Sequence, residues 1–184
     1  MRKFAQQAIK LILLVGLGLA GSVIIGLMVY GTEVFITKSV GFSFVSFGLS
    51  GACIFAYYHI RGLTESIAAA VVVSAIQFVL SLSWVTTSNA AIWSFGVNLP
   101  IILLAFLFER KLAPLERFKP LIVAALFGAV FVLLTLCIAV FTGAAMLPGS
   151  VFRQNFTDGL LIGLGLGIGI QGGEAIIASM EQHS

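Results

Sequence analysis

Residues 66–108 read SIAAAVVVSAIQFVLSLSWVTTSNAAIWSFGVNLPIILLAFLF, 43 consecutive positions without a charged side chain. An α-helix rises ~1.5 Å per residue and bilayer hydrocarbon is ~30 Å thick, so ~20 apolar residues cross once. This stretch is long enough to cross twice. Thr86, Thr87, Ser88 and Asn89 lie near its middle and read as a turn. The stretch therefore divides into two antiparallel helices, and that division decides the parity of the whole chain.

Working outward, the other uncharged runs parse more simply. Residues 11–32 give 22 positions between Lys10 and Glu33, and residues 39–60 give 22 between Lys38 and Arg61. Residues 120–152 give 33, of which 120–141 suffice to span. Residues 142–153, with Gly143, Pro148 and Gly149, read as loop. The last run, 156–180, is interrupted only by Asp158 and Glu174. The expectation is an all-α polytopic membrane protein, a single transmembrane domain over 1–184, with six transmembrane helices at 9–32, 37–60, 64–86, 89–109, 120–141 and 156–180.

Composition agrees. Of 184 residues, 60% are hydrophobic and 9% charged, with mean hydropathy +1.14. Soluble domains carry ~25% charged residues and must cover a large surface with them. A soluble enzyme, a nucleic-acid-binding domain and a disordered chain are excluded. The partner implied is the lipid bilayer, with no nucleic acid. Met1, Arg2 and Lys3 ahead of an apolar run imitate a signal peptide. A signal's apolar region is ~7–15 residues, whereas this run has full span length and reads as an uncleaved first helix.

The basic residues set an orientation. Arg2, Lys3, Lys10, Arg61, Arg110, Lys111, Arg117 and Lys119 fall on one side, eight in all; Lys38 and Arg153 fall on the other. Short cytoplasmic loops carry the Lys and Arg excess. Both termini are therefore expected in the cytoplasm, with the chain multi-pass in the plasma (inner) membrane of a prokaryote. Cys53 and Cys137 lie near opposite ends of their helices, about 15 Å apart in depth. A disulfide needs Cα atoms within about 7 Å, so both read as free thiols filling apolar space.

Polar residues inside lipid face protein or water, so their spacing is informative. Helix 2 carries Ser39, Ser43, Ser46, Ser50, Cys53 and Tyr57 on one face. Helix 3 carries Ser66, Ala70, Ser74, Gln77, Ser81, Trp84 and Ser88 on the same spacing. These stripes read as packing seams, or as a solute pathway lined by Gln77. Helix 4 holds Trp93, Ser94, Asn98 and Pro100. Proline frees a backbone carbonyl one turn earlier and kinks a helix, which makes Asn98 a candidate ligand contact or an interhelical hydrogen bond.

Helix 6 is a glycine ladder, Gly159, Gly163, Gly167 on one strip and Gly165, Gly169, Gly173 on the next. Small residues at four-residue steps let helix backbones approach, here on more than one side. Gln171 and Glu174 extend the Gly163–Gly167 strip. Glu174 reads either as an interfacial glutamate or as an intramembrane, proton-linked carboxylate. Gly18, Ser22 and Gly26 make a further close-packing strip on helix 1, usable internally or against a partner.

Enzyme signals are weak. Gly48-Leu49-Ser50-Gly51 matches the local GxSG of rhomboid proteases, but a serine nucleophile needs a base within reach. His59 shares its helix near the interface and His183 lies in the tail. No catalytic residue, cofactor or metal site is expected.

Six short helices with both ends inside resemble the substrate-binding S components of energy-coupling factor transporters. Arg61-Gly62-Leu63-Thr64 after helix 2 and the basic, proline-containing loop 109–120 after helix 4 add to the resemblance, which spans the whole chain as topology. It implies cargo held near the external side by loops 1, 3 and 5 and helices 4–6, with Trp84, Asn89, Trp93, Asn98, Arg153, Asn155 and Asp158 at the matching places. Two functions follow. The first is a transport component that binds or moves a small solute with help from a partner, in a closed pocket among helices 3, 4 and 6. The second is a non-catalytic subunit or scaffold of a larger membrane complex or homo-oligomer, motivated by the glycine strips.

Overall fold

The computed structural model describes residues 2–37, 40–83, 85–110, 113–141 and 147–182, with side chains for all of these except 2, 3, 37, 108–110 and 113. Six helices long and apolar enough to cross a membrane make up nearly all of it: α1 (Arg2–Thr37), α2 (Val40–Arg61), α3 (Leu63–Ser81), α4 (Thr87–Arg110), α5 (Lys119–Phe141) and α6 (Gly149–Gln182). A short 3-10 turn, Ala113–Phe118, precedes α5. The chain is an integral membrane protein.

α2 occupies the centre. It packs against α1, α3, α4 and α6, while α6 lies between α1 and α5 and α4 joins α3 to α5. Phe44, Ala52 and Ile54 of α2, Val97 and Ile101 of α4, Val123 and Phe127 of α5, and Ile162 and Leu166 of α6 form one continuous core. Among the described residues α6 does not pack against α3 or α4. Helices 3, 4 and 6 therefore do not enclose the common pocket expected of them.

The α6 ladder explains this arrangement. Without a hydrophobic force between helices in lipid, association depends on close van der Waals contact. A Cβ on Gly163 would lie 2.6 Å from the Val123 carbonyl oxygen of α5, and one on Gly167 would lie 2.6 Å from the Pro120 Cα. A Cβ on Gly165 or Gly169 would land on α1 backbone at Gly21 or Leu17. The two adjacent strips address two different neighbours. On α1, Gly18 faces Ala52 and Leu166, and Gly26 faces Phe35 and Phe44. Ser22 is fully buried and donates to the Phe44 carbonyl at 3.1 Å. All these small residues point inward.

Lys10 of α1 pairs with Glu181 of α6, so both termini lie at one end of the bundle. Arg61, Lys119 and Glu174 share that end, here the terminal end; the opposite one is the distal end. Near the distal end α1 breaks at Gly31 (φ 72°, ψ 160°). Phe35, beyond the break, returns to stack edge-on against Phe44 with ring centroids 5.7 Å apart.

Several helix boundaries differ from expectation, α1 among them, which runs on to Thr37 rather than ending at 32. α3 ends at Ser81 and α4 begins at Thr87, where a turn at 86–89 is expected. The Thr86 carbonyl accepts from Ala90 N–H at 2.9 Å, so Thr86 and its polar successors start α4 instead of forming the loop. α6 begins at Gly149 rather than 156, because Pro148 sits at the helix edge and its carbonyl accepts from Val151 N–H at 2.9 Å. Arg153 and Asn155 thus belong to a helix, not to an external loop. α1 begins at Arg2 rather than 9.

Candidate functional site

The buried face of α3 consists of Ser66, Ala70, Ser74, Gln77 and Ser81, every third or fourth residue. Opposite it stand Ser46 of α2 and Ser94 and Asn98 of α4. Gln77 donates its Nε2 to Ser46 Oγ at 2.9 Å. Asn98 Nδ2 donates to Ser74 Oγ at 2.7 Å, to the Ser94 carbonyl at 2.7 Å and, more distantly, to Gln77 Oε1 at 3.4 Å. The result is a polar seam joining three helices.

Asn98 lies 11 residues into α4, about 16 Å below its distal end. It is 1% exposed. Its Oδ1 has no hydrogen-bond partner, and neither has Ser94 Oγ, on a residue that is 0% exposed. Towards the distal end the seam continues through Ser46 and Ser81, which donates to the Gln77 carbonyl at 2.7 Å. Asn89 Oδ1, in the first turn of α4, is also buried and unpartnered. Towards the terminal end the buried residues become apolar: Ala70, Ile54, Ile101. There Ser66 donates to the Ile54 carbonyl at 3.0 Å. Ser66 apart, the buried polar residues of the seam lie from mid-depth to the distal end.

A second group gathers at the distal end. Tyr30 of α1 donates its hydroxyl to Asp158 Oδ1 of α6. Asn155 of α6 donates to Thr135 Oγ1 of α5 at 2.8 Å. Trp93 of α4 packs against Phe131 of α5 (5.0 Å) and Phe47 of α2 (5.8 Å). Arg153 is exposed. A third group sits at the terminal end, where Lys119, whose side chain is 8% exposed, pairs with Glu174 and has Glu116 at 3.4 Å. His59 Nδ1 lies 3.7 Å from Glu174. Gln171 donates to the Glu116 carbonyl at 3.1 Å.

Nine of the ten candidate positions are thus divided among three places. Gln77 and Asn98 meet in the seam, with Asn89 towards its mouth. Trp93, Arg153, Asn155 and Asp158 lie at the distal end and Gln171 and Glu174 at the terminal end; Trp84 lies outside the described residues. Glu174 has a lysine partner, which removes the reason to read it as a lone intramembrane carboxylate. Ser50 donates to the Phe47 carbonyl of its own helix at 3.1 Å, and His59 faces Glu174. Outside the bundle, an apolar groove of about 370 Å³ runs between α3 and α4, lined by Leu63, Ile67, Leu99, Ile102, Leu103 and Phe106.

No family model, curated protein or solved structure matches this chain. The functional argument therefore rests on the geometry above. Tyr30, Thr135 and Lys119 are site residues that spacing did not point to. Tyr30 and Thr135 are single polar residues on otherwise apolar faces. Lys119 reads as a loop charge until α5 is seen to begin on it.

Proposed function

We propose that this protein is a membrane transport component that binds a small, uncharged polar solute in the seam between α2, α3 and α4. The observation that carries this reading is the pair of open acceptors, Asn98 Oδ1 and Ser94 Oγ, at mid-depth. A buried polar atom without a partner costs about 1–3 kcal/mol, and lipid supplies no water to relieve it. An occupant with N–H or O–H groups recovers that cost. No described charged side chain lines the seam, and an ion there would lack a counter-charge; hence the solute is uncharged.

Apart from Ser66, the seam's buried polar residues run from Asn98 towards the distal end, and that is the side from which the solute enters. The Lys and Arg surplus at the terminal end supports a cytoplasmic location for the termini, so the solute arrives from outside. This agrees with the resemblance to S components, whose cargo sits near the external side. Gln77, Asn98 and Gln171 are all hydrogen-bonded, so the case rests on the open acceptors and not on a large vestibule. The scaffold reading loses the observation that motivated it, since the glycine strips of α1 and α6 are consumed inside the bundle.

The test is thermal stabilisation of the full chain in nanodiscs by urea, acetamide and glycerol. Saturable stabilisation of the wild type that disappears in Asn98→Ala is expected. Absence of any response, together with failure of water to exchange into the seam by hydrogen–deuterium exchange, overturns the proposal.

A further inference from the structure

Asp158 has no cationic partner among the described residues. It is 7% exposed and sits 16 residues along α6 from Glu174, about 24 Å away, near the distal edge of the span. Its Oδ1 accepts the Tyr30 hydroxyl. Oδ2 has no partner among the described residues, and no ion pair there includes Asp158. The contrast is Glu174, more exposed than Asp158 and yet matched with Lys119.

Among the described residues, the charged groups on the adjoining elements do not neutralise it. Glu33, three residues beyond Tyr30 on α1, is itself an acid. Arg153, five residues earlier on α6, is exposed. α2 and α5 offer no described Asp, Glu, Lys, Arg or His at this end. A carboxylate taken out of water without a partner costs several kcal/mol, and such a group inside a membrane protein is by default a functional one.

The ring that carries the Tyr30 hydroxyl belongs to an aromatic cluster. Tyr30 stacks edge-on against Phe44 with centroids 6.0 Å apart, and Phe35 closes on Phe44 from the segment beyond Gly31. A carboxylate with a phenol oxygen beside it is the chemistry that receives a small cation, by charge and by oxygen lone pairs.

We infer that Asp158, with the Tyr30 oxygen beside it, is a binding site for a small monovalent cation entering from the distal end. This site is separate from the solute seam: it lies at the α1–α6 contact, whereas the seam lies among α2, α3 and α4. It gives the protein a route to tie solute binding to an ion. Three cations share the required chemistry, an alkali ion, a primary ammonium and a proton.

The experiment uses the full chain in nanodiscs without solute, at fixed pH and at an ionic strength held by N-methylglucamine chloride. Sodium, potassium and methylammonium are titrated separately. Thermal midpoint and radiolabelled sodium binding are read, with infrared difference spectra of the carboxyl region. Saturable binding that weakens at least about tenfold in Asp158→Asn, and less in Tyr30→Phe, is the expected result. No response to sodium, potassium or methylammonium, with a protonated carboxyl band lost in Asp158→Asn, identifies the cation as a proton and supports the site. An ionised carboxylate in the wild type that responds to none of the three cations overturns the proposal. The wild-type titration decides the matter even where Asp158→Asn does not fold. Because no solute is present, failure here leaves the seam reading standing, and failure of urea, acetamide and glycerol leaves this one standing.

Discussion

Gly21 of α1 and Gly165 of α6 face each other so closely that a Cβ on either would fall on the other's carbonyl oxygen. The obstruction is backbone against backbone, which no rotamer change relieves. Gly165→Ala must push α6 away from α1 along a contact that also includes Leu17, Gly18 and Ser22. Overpacking a tight contact costs about 1–3 kcal/mol, and this one lies at the upper end. Gly172→Ala is the control, since nothing lies within 4 Å of a Cβ there and removing a mid-helix glycine stabilises by about 0.5–1 kcal/mol. Reversible unfolding in mixed micelles should show a large loss for the first and a small gain for the second. Equal behaviour of the two would refute this reading of the α1–α6 contact.

Lys119 and Glu174 should be far more sensitive singly than together. Their side chains are 8% and 20% exposed. Removing one partner leaves the other as a buried charge, at a cost near the low end of about 3–5 kcal/mol. Replacing both by apolar groups, Lys119→Met with Glu174→Leu, removes the unpaired charge as well. The double variant should unfold at a denaturant level closer to wild type than either single variant. A strictly additive loss in a double-mutant cycle would show that the two residues do not act as a pair.

Much of this was readable from residue spacing, and the reason is specific. The buried face of α3 is Ser66, Ala70, Ser74, Gln77 and Ser81 because a helix in lipid turns its small and polar residues inward, and 3.6-residue periodicity exposes that choice. The α6 glycines were legible on the same ground. Partners were not. That Gln77 meets Ser46, that Asp158 meets Tyr30 rather than a lysine, and that Glu174 meets Lys119 depend on the depth and rotation of one helix against another. Those quantities leave no trace in the spacing of either helix alone. The α6 start was missed because Pro148 and Gly149 signal both a loop and a helix entrance.

Ser94 and Asn98 should separate stability from binding. Ser94 Oγ has no partner among the described residues, so Ser94→Ala removes an unsatisfied group. Its stability should match wild type or exceed it by up to about 1 kcal/mol. Asn98→Ala breaks the bonds to Ser74 and to the Ser94 carbonyl, and should cost about 1–3 kcal/mol. Both variants should lose the stabilisation by uncharged solutes seen in wild type. Retention of that response in Ser94→Ala would remove Ser94 from the site.

The proposed orientation makes a labelling prediction. With Cys53 and Cys137 replaced by alanine, single cysteines at Glu116 and Gln154 report on opposite ends of the bundle. Both positions are exposed. In intact cells a membrane-impermeant maleimide should label Gln154→Cys and spare Glu116→Cys. In inverted vesicles the pattern should reverse. Labelling of Glu116→Cys in intact cells would place the terminal end outside and turn the seam's mouth towards the cytoplasm.

Gly31 carries the bend that returns Phe35 to Phe44. Its φ of 72° with ψ of 160° falls in a region essentially reserved for glycine, where another residue costs about 1–3 kcal/mol. A Cβ there meets no atom within 4 Å, so the cost of Gly31→Ala is conformational and not steric. Gly16→Ala, equally free of neighbours but helical, should be neutral or slightly stabilising. The loss in Gly31→Ala should also be local. Phe35 leaves its place against Gly26 and Phe44, and a fluorophore on Ile36→Cys becomes more mobile, while α2 to α6 keep their hydrogen-exchange protection. If Gly31→Ala unfolds no more readily than Gly16→Ala and the fluorophore is unchanged, the bend does not depend on glycine, and Phe35 is held by its aromatic contacts alone.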